Sequence, residues 1–302
     1  TPETSLSDED IADLKGWGFN FVRLGVLWEA VETAPGVYNE TFLGEVETLI
    51  NKLGDAGIYT LVDAHQDAIS RMTCGEGMPD FYAREVAAQG AYCIGKYSDW
   101  ILDPLLKRFA GGLCNTMKDF NYPQNANGDP EVASCLSKPF FNYYLTTESW
   151  SMFRALYDDH LGMQDKYLAF WEKVANTFSS NPYVLGYDPI NEPMPAFGSV
   201  FDVINKLWPG HYDREQLAPL YSKIYTKYMN ANTENIMAFE PGQFPDSLPK
   251  DVPAIGGDVF NVGFEKPPGA EIGSVNHMLN DHTYCCQMGL HACDASGNPW
   301  KN

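Results

Sequence analysis

The stretch Tyr183-Val-Leu-Gly-Tyr-Asp-Pro-Ile-Asn-Glu-Pro193 decides the fold that the sequence predicts. Its apolar run is typical of a strand buried on both faces, and the run ends abruptly at Asn191-Glu192. Pro193 has no N–H to continue a ladder, so the strand delivers an amide and a carboxyl group to a loop. In a parallel β/α barrel, catalytic groups lie at this end of the strands.

Predicted strands and helices alternate along the rest of the chain. Apolar strands are predicted at 19–28, 57–65, 183–193, 235–241 and 277–285. Helices are predicted at 7–17, 39–56, 148–159, 165–178 and 213–230. This alternation indicates parallel strands with helical crossovers, and therefore an α/β fold built as a β/α barrel. An open doubly wound sheet is the alternative, but no Gly-rich phosphate turn follows any of the five strands.

The composition narrows the class of protein. The chain has 302 residues and 44% hydrophobic residues, which suits one large catalytic domain over 1–302. Forty acidic residues against twenty basic ones give a formal charge of −20, which disfavours nucleic acid and anionic membranes as partners. The sequence has no run of about eighteen apolar residues, so we predict no integral membrane segment. The aromatic residues, 14% of the chain, serve either the core or sugar stacking.

The cysteines point to an oxidising compartment. Four of the seven lie in a Gly-, Asn- and Pro-rich stretch that we predict to be a Cys-rich insertion at about 70–145: Cys74, Cys93, Cys114 and Cys135. No Cys-x-x-Cys pair or zinc-like His spacing occurs, so we expect neither a metal nor a cofactor. Disulfides, with their pairing left open, and the sequon at Asn39 favour a secreted or lumenal glycoprotein.

Polar groups end four of the five predicted strands, and Arg23 lies within the first strand. In a barrel these groups converge on one pocket. Each has a structural alternative: Arg23 neutralises a buried carboxylate, His65 is a core histidine, and Glu240 caps the next helix. A carboxylate pair beside amide and imidazole groups suits glycoside hydrolysis, in which one carboxyl protonates the leaving oxygen and the other attacks or activates water. A lipase-type site is disfavoured because no Gly-x-Ser-x-Gly elbow occurs.

Several motifs together resemble a known family. They are the run 18–32, Pro35-Gly-Val-Tyr38, Asp63-Ala-His-Gln-Asp67, Gly186-Tyr-Asp-Pro-Ile-Asn-Glu-Pro193, Phe239-Glu-Pro241 and His282-Thr-Tyr284. In combination they resemble the barrel of glycoside hydrolase family 5, and in particular its endoglycoceramidase branch. The resemblance covers nearly the whole chain outside the Cys-rich insertion, and it implies a (β/α)8 TIM barrel of which this chain carries strands two to six.

The resemblance also implies roles for individual residues. Glu192 becomes the acid/base at the end of barrel strand four. Asn191 bonds the sugar 2-hydroxyl, and His65 and Asp67 hold sugar hydroxyls after strand three. Arg23 supports the nucleophile, and Glu240 is a further supporting residue. His282 and Tyr284 line the site after strand six, where Tyr284 binds substrate.

The family's nucleophilic Glu ends barrel strand seven, and no residue here matches that position. Glu265 and Glu271 precede strand six, and Glu240 ends strand five. Since the chain also begins at Thr1, we expect a processed or partial chain, with another segment or a second chain supplying strands one, seven and eight.

The activity implied is that of a retaining β-glycosidase that releases intact glycan from glycosphingolipids at the glycan–ceramide bond. Two alternatives stay open. One is a related β-glucosidase acting on glucosylceramide, a steryl glucoside or an oligosaccharide, and the other is a catalytically inactive sugar- or lipid-binding relative. For the lipid side we expect an apolar stretch, which has covering the barrel's own rim as its alternative role: Met194, Pro195, Ala196, Phe197, Val200 and Phe201.

Overall fold

A five-stranded parallel sheet organises the molecule. The computed structural model describes residues 5–90, 115–196, 210–232, 234–242 and 262–282. The sheet order is β1-β4-β5-β6-β7, which is also chain order, and every neighbouring pair is parallel. Its strands are β1 Phe21–Gly25, β4 Tyr59–Asp63, β5 Val184–Asp188, β6 Ile236–Phe239 and β7 His277–Leu279. A small antiparallel hairpin joins β2 Glu32–Ala34 to β3 Val37–Tyr38.

Helices connect the strands and cover one face of the sheet. Their bounds are α1 Asp8–Gly16, α2 Trp28–Val31, α3 Glu40–Asp55, α4 Asp80–Ala88, α5 Val132–Cys135, α6 Phe141–Tyr144, α7 Thr147–Tyr157, α8 Met163–Phe178 and α9 Ala218–Ala231. A single π-helical turn, Asp213–Leu217, precedes α9. Helix α1 begins with a capping box, in which Ser7 and Asp10 bond reciprocally. In the described residues, no helix is long and apolar enough to cross a membrane.

One main hydrophobic core lies between the sheet and these helices. Its largest fully buried side chains are aromatic, with Trp171 of α8 packed edge-on against Tyr187 of β5 and Tyr228 of α9. The interpretation of the aromatic residues as core is therefore confirmed for these three. The core fixes β5, the strand that carries the Asn-Glu pair, between rigid elements.

Several predicted boundaries differ from the structure. The first strand ends at Gly25, and Trp28 begins a helix instead of ending the strand. Asn39, the first residue of the helix predicted at 39–56, lies just before α3, and its side chain caps that helix by accepting a hydrogen bond from the Phe42 amide. Apolar content cannot locate such ends, since a strand and the first turn of a buried helix have similar composition.

The Cys-rich insertion is more regular than predicted. Residues 80–88 form α4, whose Tyr82, Ala83 and Val86 are buried, although no helix is predicted within the insertion. Cys74 and Cys135 form a disulfide across 61 residues of sequence. The other predicted participants, Cys93 and Cys114, lie outside the described residues.

Candidate active site

The carboxyl ends of the parallel strands bring the predicted residues together. Gly25, Asp63 and Asp188 are in register at the ends of β1, β4 and β5. Because all five strands run in the same direction, the residues that follow them share this edge of the sheet.

Arg23 lies at the centre of this edge. Its guanidinium donates hydrogen bonds to Asp188 at 2.8 Å, to Asp63 at 3.0 Å and to Glu240 at 2.9 Å. A fourth bond of 2.9 Å reaches Asn191 Oδ1. Burial opposes the charge of Arg23, but the surrounding carboxylates outweigh burial and raise its pKa. Arg23 therefore pairs with three buried carboxyl groups. This confirms the structural alternative, in which Arg23 neutralises a buried carboxylate.

Glu192 is held by its backbone in an unusual conformation. Its φ is +40°, in the left-handed region that non-glycine residues seldom adopt. Its N–H donates to Glu240 Oε2 at 2.7 Å, and the Gln66 side-chain amide donates to the carbonyls of Asn191 and Glu192. The carboxyl group stays 19% exposed. These hydrogen bonds therefore fix the backbone of Glu192 while leaving its carboxyl group within reach of a ligand.

His282 connects two carboxyl groups. Its Nδ1 lies 2.9 Å from Glu192 Oε1, and its Nε2 lies 3.2 Å from Glu240 Oε1. Hydrogen bonds to Glu192 and Glu240 raise the pKa of His282 to about 10, against the cost of burial, so the ring is an imidazolium at neutral pH. Glu240 is fully buried. Its carboxylate binds Arg23, His282 and the Glu192 amide, which are the bonds of a supporting residue.

Asn191 is almost completely buried, at 3% exposure. Its Oδ1 accepts from Arg23, and its Nδ2 donates to the Gln66 carbonyl at 3.0 Å. The side chain is therefore fixed in one orientation by the protein before any ligand arrives.

His65 and Asp67 form the second half of the site. His65 Nδ1 lies 2.7 Å from Asp63 Oδ2, and Nε2 lies 3.4 Å from Asp67 Oδ2. Burial lowers the pKa of His65, but hydrogen bonds to Asp63 and Asp67 raise it to about 10 overall. Because its side chain is 28% exposed and it faces charged partners, His65 is not a core histidine. Asp67 is 31% exposed.

One group near His65 has the composition of a metal site. Ligand atoms of His65, Asp67 and Glu76 lie within 4.8 Å of one another, and no other such group occurs in the described residues. Both ring nitrogens of His65 already face carboxylates, and its raised pKa favours an imidazolium, which cannot ligate a metal. This agrees with the expectation of no metal, which stays a prediction.

Comparison with known proteins places this site in a family. The model of the cellulase family, glycosyl hydrolase family 5, matches residues 2–100. An endoglycoceramidase of Hydra vulgaris is 31% identical over 289 residues, which are 94% of this chain and 49% of that protein. One from Cyanea nozakii is 29% identical over 282 residues, 93% of this chain and 48% of that protein.

The fold is similar to that of a solved endoglycoceramidase. Endoglycoceramidase II from Rhodococcus sp., in its complex with ganglioside GM3, superposes with a TM-score of 0.62 at 20% identity, over 93% of this chain and 52% of that one. The chain belongs to glycoside hydrolase family 5. Its parallel sheet with helices is part of the family's (β/α)8 barrel, and the chain spans about half the length of the curated relatives that it matches.

Most of the predicted site of this family 5 chain is assembled in the structure. Arg23, Asn191, Glu192, Glu240 and His282 form one hydrogen-bonded network, and Asp63 links it to His65 and Asp67. Tyr284 lies outside the described residues. The structure adds five residues whose roles were not predicted: Asp63, Gln66, Tyr144, Asp188 and Asn280.

Asp188 is the most deeply buried of these additions. Its burial and the nearby Glu240 raise its pKa, against the effect of Arg23. Its Oδ2 accepts from Arg23 and from the Asn280 side chain, each at 2.8 Å. A signal was present in the sequence, since Asp63 and Asp188 each end an apolar strand, where a buried charge requires a partner.

The first three residues of the apolar stretch after Glu192 do not form the lipid-facing surface that the sequence suggested. Met194, Pro195 and Ala196 are all buried. The Met194 carbonyl accepts a hydrogen bond from Tyr157 of α7 at 2.9 Å. These three residues therefore cover the barrel's own rim, while Phe197, Val200 and Phe201 lie outside the described residues.

Proposed function

We propose that this chain carries the acid/base half of a retaining β-glycosidase that releases intact glycan from glycosphingolipids by hydrolysing the glycan–ceramide bond. The observation that carries the proposal is the partly exposed Glu192, clamped at the end of β5 by Glu240, Gln66 and His282. A general acid must hold its proton within reach of the leaving oxygen, and a fixed backbone achieves this.

In this proposal Glu192 protonates the glycosidic oxygen as the bond to ceramide breaks. A second carboxylate attacks the anomeric carbon and forms a glycosyl-enzyme intermediate. Glu192, now ionised, then removes a proton from water, whose oxygen attacks the anomeric carbon and releases the glycan with net retention. Between the two steps, His282 and Arg23 supply positive charge to the site in which Glu192 is a carboxylate.

Glu240 is unsuited to act as the nucleophile. Its side chain has no exposed surface, and both its oxygens are bound by protein groups. We propose that the second carboxylate belongs to barrel strand seven, on a further segment or a second chain.

The open face of the sheet supports this supply of further strands. Phe21, Tyr59 and Met278 are 39%, 43% and 40% exposed. Phe21 and Met278 lie two residues from Arg23 and Asn280, so they share the face that carries the site. Apolar side chains at the centre of a complete barrel would be buried by the opposite strands.

We propose that His65 and Asp67 bind sugar hydroxyls and that Asn191 contacts the 2-hydroxyl. The glycolipid substrate rests on the likeness to endoglycoceramidases, since no lipid-binding surface is defined among the described residues. We also propose that residues 1–302 form one partial catalytic domain with an insertion at about 70–145. A secreted or lumenal location is supported by the Cys74–Cys135 disulfide.

Product analysis of lactosylceramide tests the proposal. The full-length polypeptide in detergent should yield intact lactose and ceramide, with slower cleavage of a free lactose-containing oligosaccharide and of an aryl cellobioside. A preference for soluble glycans, or cleavage of glucosylceramide to glucose and ceramide with lactosylceramide left intact, would favour a related β-glucosidase. A folded protein that turns over none of these substrates would be the inactive relative.

A further inference from the structure

We propose that Tyr144 is a positioning residue for Asp67, provided by the Cys-rich insertion and acting through a single hydrogen bond. The Tyr144 hydroxyl donates to Asp67 Oδ1 at 2.9 Å, while Oδ2 of the same carboxylate faces His65. The two oxygens are therefore held from opposite sides, which fixes the plane of the carboxyl group. A carboxylate with two fixed oxygens presents its remaining lone pairs to a ligand in one direction.

Tyr144 is itself rigid. Its side chain is only 5% exposed, and its ring packs against Phe140 at 5.5 Å and Phe153 at 6.4 Å between centroids. Burial and the charge of Asp67 raise the pKa of Tyr144 well above its ordinary value, so the hydroxyl keeps its proton and remains a donor across the physiological range.

The backbone after Asp67 needs such support. Ala68 and Ile69 have φ values of +44° and +62°, which are strained for residues with a side chain and rare for a β-branched one. The Asp67 and Glu76 amides exchange hydrogen bonds with each other's carbonyls, and Gly75 lies so close that a Cβ would fall 1.7 Å from the Asp67 carbonyl oxygen.

The insertion and the helix α7 that follows it both contact this strained turn. Cys74, at one end of the turn, is joined to Cys135 by the disulfide. Nine residues after Cys135 the chain reaches Tyr144, and Ser149 at the start of α7 donates to the Ala68 carbonyl. The insertion thus supports the turn that follows Asp67, and Tyr144 is its contact with the Asp67 carboxylate.

The first test measures positioning without catalysis. In Tyr144→Phe, hydrogen exchange of the Asp67 and Glu76 amides should be roughly tenfold faster, because a hydrogen bond to a charged group is lost while the core stays packed. Tyr228→Phe is the matched control, because that buried hydroxyl has no partner in the described residues and its loss should leave both amides unchanged. Unchanged exchange in Tyr144→Phe would overturn the proposal.

The second test rests on the proposed function. In the full-length polypeptide acting on lactosylceramide, Tyr144→Phe should raise KM roughly tenfold with little change in kcat, because Asp67 binds sugar before and during the reaction. In an Asp67→Ala background the same change should have less than about a twofold effect, since Tyr144 acts only through Asp67. A full effect of Tyr144→Phe in that background would refute the mechanism. If exchange responds but the wild-type protein cleaves no glycolipid, the proposed function fails and the role of Tyr144 stands.

Discussion

At the scale of single residues, the site is a set of charges that hold one another in place. Arg23, His65 and His282 carry positive charge among five carboxyl groups: Asp63, Asp67, Asp188, Glu192 and Glu240. Removing one partner from such a buried network leaves an uncompensated charge, so these residues depend on one another. The residue types and their strand-end positions could be inferred from sequence, whereas their pairing required the register of the sheet.

The two imidazoles make a testable contribution to the pH dependence of stability. Both have folded-state pKa values of about 10, raised above the ordinary 6.5 by their carboxylate partners. Their stabilisation is complete below pH 6.5 and is lost as pH rises towards 10. In this window each imidazole is protonated in the folded state but not in the unfolded state. Each such proton makes the free energy of unfolding fall by about 1.4 kcal/mol per pH unit as the pH rises.

Urea unfolding at pH 7.5 and pH 9 measures this effect. Wild type should lose more stability between the two values than His65→Asn, which lacks one imidazolium. The buried Asp188, whose pKa is raised, is unchanged in both proteins, while His277, whose pKa is lowered by burial, is neutral in both states above pH 7.5, so the comparison isolates His65. Equal slopes for wild type and variant would show that His65 is not held as an imidazolium.

At the scale of elements, the long amphipathic helices and buried strands follow from hydrophobic periodicity. Helices α3 and α8 lie within two residues of their predicted ends, and α9 together with the preceding π-helical turn, Asp213–Leu217, matches the helix predicted at 213–230. The insertion did not follow, because its order comes from a disulfide, strained turns and distant contacts such as that of Tyr144, none of which leaves a periodic pattern.

The close contact between β5 and β6 depends on Gly186, which has no side chain. Gly186 pairs with Ile236, and a Cβ at Gly186 would fall 2.0 Å from the Ile236 carbonyl oxygen. Gly186→Ala should therefore separate the strands and reduce the free energy of unfolding by roughly 1–3 kcal/mol. Gly44→Ala in α3 is the control, since nothing lies within 4 Å of its Cβ and about 0.5–1 kcal/mol of stabilisation is expected. Equal effects of the two changes in chemical denaturation would contradict this account.

The Cys74–Cys135 disulfide should stabilise the insertion. Closing a loop of this length is expected to contribute roughly 2–4 kcal/mol, mainly by restricting the unfolded chain. The paired variant Cys74→Ser/Cys135→Ser should show that loss in denaturant unfolding. Mass spectrometry of a non-reduced digest should find the two peptides linked, and free thiols at both positions would remove the support for an oxidising compartment.

At the scale of the whole molecule, the sheet presents β1 and β7 as its edges within the described residues. Exposed edges and apolar faces promote association between chains. Residues 1–302 expressed alone should therefore aggregate and release no glycan from lactosylceramide, and addition of the remaining barrel segment should restore turnover. Clear turnover by residues 1–302 alone would mean that a carboxyl group within this chain acts as the nucleophile.

The fold class and the acid/base candidate could be inferred from sequence, because a buried strand ending in Asn191-Glu192 has few other uses in a parallel sheet. The lipid-binding surface could not be inferred in this way. Met194 and Ala196 are as apolar as a lipid contact requires, yet they are buried beneath the rim. Sequence distinguishes apolar from polar residues, but it does not tell which neighbour covers them.

The central claim is that Glu192 is the acid/base of a glycosidase, and a leaving-group comparison tests it most directly. Glu192→Gln in the full-length polypeptide keeps the shape of the side chain but removes its proton, so kcat/KM for lactosylceramide should fall by roughly 10²–10⁴-fold. For a dinitrophenyl lactoside, whose leaving group needs no proton, formation of the glycosyl-enzyme should be much less affected. Equal losses for both substrates in that first step would contradict the assignment of Glu192.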